Sequence, residues 1–97
     1  MYVTVRRYEG VSDPSEAARI VGERWLPVVR EIPGFVAYYW VDAGDGLMIS
    51  TSIFEDSSGE EESNWKAGQF VAEHLNPYIP NAPEITAGPV VAHTTAK

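Results

Sequence analysis

An α+β fold, with four antiparallel strands and two helices on one face of the sheet, is predicted by three features of the sequence. The first is the order of the local patterns, which run strand, helix, strand, strand, helix, strand. The second is the stretch Phe35 to Phe54, two aromatic and β-branched runs split by Ala43-Gly44-Asp45-Gly46, which reads as a hairpin. The third is size: 97 residues suit one domain, spanning 1–97, with one modest core. With short links and right-handed crossovers, that order is the ferredoxin-like βαββαβ arrangement.

Met1 to Glu9 alternates as a strand, with Val3, Val5 and Arg7 on one face and Tyr2, Thr4, Arg6 and Tyr8 on the other. An arginine near the end of such a strand, Arg7, reads either as a snorkelling surface residue or as an anion clamp at a pocket mouth. Asp13-Pro14-Ser15-Glu16 then announces a helix: Asp13 caps it, Pro14 fits its first position and Glu16 completes a capping box. Its inward stripe is Ala17, Ala18, Val21, Trp25, Val28 and Ile32. Pro27 lies inside this run and should bend the helix. Ile32-Pro33-Gly34 stops it and leads into the hairpin.

A hairpin turn centred at Gly44-Asp45 or Asp45-Gly46 puts odd positions of its first strand on one face with even positions of its second. One face then carries Phe35, Ala37, Tyr39, Val41, Met48, Ser50, Ser52 and Phe54. The other carries Val36, Tyr38, Trp40, Leu47, Ile49, Thr51 and Ile53. Neither suits water, and two helices cover only one. The uncovered side calls for a second copy of the chain.

Ser57 with Glu60, or Ser58 with Glu61, marks the second helix start, and the glutamates there form a solvated first turn rather than a metal site. Asn64, Ala67, Gly68, Val71 and Leu75 share its inward side, Trp65 and Phe70 lie on opposite flanks, and His74 sits at the stripe's edge. Asn76-Pro77 ends the helix. A last strand is expected from about Ile85 to Thr94, interrupted or edged at Gly88-Pro89, with His93 on the surface.

A formal charge of −7, from 14 acidic against 7 basic side chains, repels phosphate backbones and anionic lipid, so no nucleic-acid partner is expected. No apolar run is long enough to span a bilayer, and the start lacks a secretory pattern, which fits a cytoplasmic protein. The absence of cysteine excludes disulfides and thiol chemistry. Two histidines on different elements make a poor metal site, and the glycines mark turns rather than a phosphate loop.

The order of elements, Pro33-Gly34-Phe35 opening the second strand, and Trp65 with His74 on the second helix resemble the antibiotic biosynthesis monooxygenase-like group of the dimeric α/β-barrel superfamily. The resemblance covers nearly the whole chain. It implies a homodimer, and a pocket in each subunit between helices and sheet. The hairpin face with Phe35 and Tyr39 would line that pocket, Ser50 and Ser52 leaving room in it. The face with Tyr38, Trp40, Ile49 and Thr51 would form the dimer seam. Trp65 and His74 resemble a pair carried by haem-degrading members, one residue closer together here. The first-strand asparagine of those members is not found, Arg7 standing near its place, and no cofactor is expected.

The function implied is a cofactor-independent monooxygenase acting on a small aromatic or quinol-like metabolite. Asn64, a polar amide on an apolar stripe, and Ser50 would hold a substrate anion, and His74 or Tyr39 would move the proton. Trp65 and Phe70 would pack the rings, with Ser52, Arg7 and Phe35 completing the substrate-binding set. The alternative is a non-catalytic dimeric protein that binds a small ligand or serves in stress.

Overall fold

The computed structural model describes residues 1–96. Its elements are β1 (Tyr2–Tyr8), α1 (Pro14–Ile20), a π-helical turn (Val21–Trp25), α2 (Leu26–Val29), β2 (Phe35–Gly44), β3 (Leu47–Phe54), α3 (Ser57–Phe70), a second π-helical turn (Val71–Leu75) and β4 (Glu84–Pro89). The strands form one antiparallel sheet in the order β2-β3-β1-β4, the ferredoxin-like topology expected from the sequence. Two helical arms, α1 through α2 and α3 with its π turn, cover one face. Among the described residues no helix is long and apolar enough to cross a membrane.

Local chemistry explains the starts. Asp13 Oδ1 accepts from the Glu16 N–H, with Pro14 in the first turn of α1. At α3 the cap is Asp56, one residue before the expected serines: its Oδ1 accepts from the Ser58 and Gly59 N–H groups. A carboxylate also suits the positive end of the helix better than a hydroxyl does. Gly59 is required by proximity, since a Cβ there would stand 2.7 Å from the Phe54 ring and 2.9 Å from the Pro33 carbonyl oxygen.

Pro27 does not simply bend the first helix. The Leu26 N–H reaches back to the Val21 carbonyl, five residues away, so one turn is widened just before the proline. Pro77 stands in the same relation to the second π turn, two residues after its end. A proline cannot donate and crowds the carbonyl four residues back (Glu23 and Glu73 here), and a widened turn relieves both problems. The extra residue shifts the helix phase. Val29 is therefore buried at 1% exposure where Val28 was expected, and Val28 faces outward at 40%.

The hairpin departs from the expected facing. Gly44, Asp45 and Gly46 all have positive φ, and Gly44 pairs with Leu47. A bulge at Ala43 then shifts the register, so Asp42 pairs with Met48, Trp40 with Ser50 and Tyr38 with Ser52. One unpaired residue inverts every side chain beyond it. Tyr38 and Trp40 therefore face the helices, not the open side of the sheet. Tyr39, Val41 and Ala37 share the open face with Ile49, Thr51 and Ile53, and Tyr39 is 57% exposed. A second irregularity near Val36 restores the original parity, so Phe35 stacks on Phe54 as expected, ring centroids 5.9 Å apart.

β4 is shorter than expected: it ends at Pro89, whose nitrogen cannot extend the ladder, and Val90 adds one bond to the Met1 carbonyl. His93 lies in the exposed segment beyond it.

Candidate functional site

Three rows of paired residues cross the helix-covered face of the sheet. One runs Trp40–Ser50–Arg6–Ile85, flanked by Tyr38–Ser52–Thr4–Ala87 and Asp42–Met48–Tyr8. Most of this face is core. Met48 and Phe54 are fully buried, and Trp25 packs on Phe70 and Tyr38 with ring centroids 5.3 and 6.3 Å apart. Arg6 is the exception, a guanidinium left 3% exposed in the middle of the sheet.

Arg6 Nη2 donates to Asn64 Oδ1 at 2.6 Å, and Arg6 makes no ion pair with any described residue. Because Asn64 accepts through its oxygen, its amide N–H₂ is left to donate elsewhere. The nearby Glu60 carboxylate is engaged by the Thr4 hydroxyl, which donates to it at 2.9 Å.

Space lies on both sides of Arg6, unequally. Toward the aromatics, among Ser50, Trp40, Tyr38, Trp25 and Phe70, the free volume is about 10 Å³. That is room for one water-sized group beside the Trp40 Nε1–H, which is buried with no protein acceptor. Toward β4 a cleft of about 220 Å³ opens among Arg6, Tyr8, Asn64, Ala67, Gly68, Val71, Pro83 and Ile85. A void of roughly 150 Å³ already admits a benzene ring, so this cleft takes a compound of one or two rings. The two π turns shape the inner space: Val21 and Trp25 from one, Val71 and Leu75 from the other, line it.

The phenols around Arg6 are protonated. Burial pushes Tyr38 well above its ordinary value and neighbouring Tyr8 adds to the push; burial likewise raises Tyr8, Arg6 partly opposing it. Both are therefore hydrogen-bond donors and not bases at neutral pH. Above the ordinary phenol value of 10.0 the unfolded chain loses these protons while the native state keeps them, so stability falls as pH rises. Below it these two groups contribute no slope. Urea unfolding at about pH 9 and about pH 11 checks this, and Tyr8→Phe with Tyr38→Phe should flatten the alkaline decline.

Of the residues singled out in the sequence, Ser50 and Phe70 border the inner space and Asn64 borders the cleft. Ser52 is buried beneath the helices, its hydroxyl without a partner, and Phe35 packs against the core. Tyr39 lies on the opposite face of the sheet. Arg7 is also on that face, ion-paired with Glu9 at 3.4 Å. Trp65, 65% exposed, and His74 border a separate outer groove with Lys66 and Glu73, where the His74 ring sits 4.8 Å from Phe70. Tyr38 and Trp40, expected at the dimer seam, line the inner space instead, and Arg6, Tyr8 and Trp25 join them there without having been expected as site residues. The available signal was Arg6 itself, a charge alternating with Thr4 and Tyr8 on the inward face of a central strand.

No family model and no curated protein matches the chain. Solved structures do. A protein of unknown function from Nitrosomonas europaea is 16% identical, with a TM-score of 0.76, over 99% of this chain and 94% of that one. The ActVA-Orf6 monooxygenase of Streptomyces coelicolor, in complex with nanaomycin D, is 17% identical, with a TM-score of 0.72, over 98% and 92%. SnoaB, a cofactor-independent oxygenase from Streptomyces nogalater, is 16% identical in a mutant form, with a TM-score of 0.75, over 95% and 94%. At these identities the likeness is one of fold, and at that level the resemblance to the antibiotic biosynthesis monooxygenase-like group holds.

Proposed function

We propose that this chain is a member of the antibiotic biosynthesis monooxygenase-like group and oxygenates a small aromatic or quinol-like compound without a cofactor. The observation that carries the reading is the Arg6–Asn64 pair at the floor of a ring-sized cleft. A ring lying against Ala67, Val71 and Ile85 would bring an acidic oxygen to the guanidinium and to the free Asn64 N–H₂. Donors fixed in advance and partly shielded from water stabilise such an anion at little reorganisation cost. Its proton is lost to bulk solvent before the ring enters.

The electron-rich ring then gives one electron to dioxygen. The ring radical and superoxide combine at carbon, and a proton completes the hydroperoxide. Loss of water leaves a carbonyl, so a ring CH₂ and O₂ give C=O and H₂O with dioxygen as the sole oxidant. Tyr8, protonated and buried, supports the reading as a donor beside the developing charge.

A second reading, ligand binding without turnover, is favoured by one feature: neither a carboxylate nor an imidazole borders the cleft. Oxygen uptake with a panel of one- and two-ring anthrone- and quinol-type compounds separates the two. Uptake that disappears in Asn64→Ala supports the oxygenase. Tight binding with no uptake across the panel leaves only the binding protein.

The partner in this reading is a second copy, joined through the open face of the sheet that carries Val5, Tyr39, Val41, Ile49 and Thr51. Ile49→Glu would set like charges across a two-fold axis in an apolar seam and is expected to yield monomers. Sedimentation velocity measures this directly, and a wild-type chain that runs as a monomer at micromolar concentration contradicts the seam.

A further inference from the structure

We infer that the cleft selects a ligand already anionic when it binds, a flat one- or two-ring compound carrying an ionised enol, phenol or carboxylate oxygen. The inference rests on the cleft being the ligand site, as proposed above, but not on its oxygen chemistry.

Arg6 places a guanidinium charge 97% out of solvent. A buried charge needs a counter-charge or a full set of strong acceptors. Arg6 has one neutral amide oxygen, from Asn64, and no carboxylate partner among the described residues. Glu60, one turn before Asn64 on α3, accepts from Thr4 instead. Arg6 borders the cleft, whose other walls are Tyr8, Asn64, glycine, proline and aliphatic side chains. A neutral ring would leave the charge uncompensated; an oxyanion would complete it.

The test uses the intact protein and tryptophan fluorescence in anaerobic buffer. The probes are 2-hydroxy-1,4-naphthoquinone, ionised at neutral pH, and its neutral ether 2-methoxy-1,4-naphthoquinone. The anion is expected to bind at least ~30-fold more tightly than the ether, the range of a charge-assisted hydrogen bond. Arg6→Gln should abolish that preference.

Since Arg6→Gln could disturb folding, Asn64→Asp supplies a second arm. It places a resident carboxylate on Arg6, so it should raise the melting temperature while lowering anion affinity at least ~10-fold. Equal binding of anion and ether overturns the inference, as does an Asn64→Asp variant that keeps its anion affinity. Anion selectivity without oxygen uptake would remove the oxygenase reading and leave this one standing. Uptake without selectivity would do the reverse.

Discussion

Exchanging Arg6 for methionine is expected to make the ligand-free protein more resistant to urea, by about 1–3 kcal/mol, while lowering oxygen uptake at least ~100-fold. The stability gain follows from removing a desolvated charge whose sole side-chain partner is an amide. Methionine keeps most of the apolar stem in the same space, and Asn64, at the exposed side of the pair, turns its oxygen to water. The activity loss follows because no other cation borders the cleft. Opposite signs on the two readouts mark a residue retained for what it binds. Urea midpoints at constant m, with uptake rates on the same preparation, measure both; a destabilised variant would show that Arg6 is a structural member of the sheet.

Trp25→Ala is expected to cost about 3–5 kcal/mol, a large share of the total stability of a chain this size. Trp25 is 3% exposed, touches Phe70 and Tyr38, and closes the first π turn over the sheet. Val21 and Leu75, which line the space beside it, belong to the two π turns. Trp25→Phe should recover about half the loss by keeping a ring against Phe70. Chemical denaturation followed by far-UV circular dichroism distinguishes the two variants.

Periodicity and punctuation were enough to read the elements. Asp13-Pro14 and Pro33-Gly34 bound the first helical arm, and the alternation in Leu47 to Phe54 sorts Met48, Ser50, Ser52 and Phe54 correctly toward the helices. The facing of Tyr38, Trp40 and Tyr39 was not legible. It depends on whether Ala43 is counted in the ladder, and an alanine beside a glycine turn carries no mark of a bulge. The inner wall was lost with it, because that wall is built from Tyr38 and Trp40. Arg7 was preferred to Arg6 for the same kind of reason: the sequence alone does not say which face of β1 receives the helices. Asn64 was legible as a polar residue out of place, but its partner was not, since the two are 58 positions apart in the chain.

The two prolines have a practical consequence. Pro27 and Pro77 are exposed and touch neither the cleft nor the inner space, yet each lies just beyond a widened turn whose residues form the walls. An alanine at either position would restore a backbone donor, and at Pro27, inside α2, it would let the helix wind more tightly. Under the proposed function, these prolines are therefore the positions from which the walls would be altered from outside the molecule, by adjusting helical pitch, with every wall side chain left unchanged.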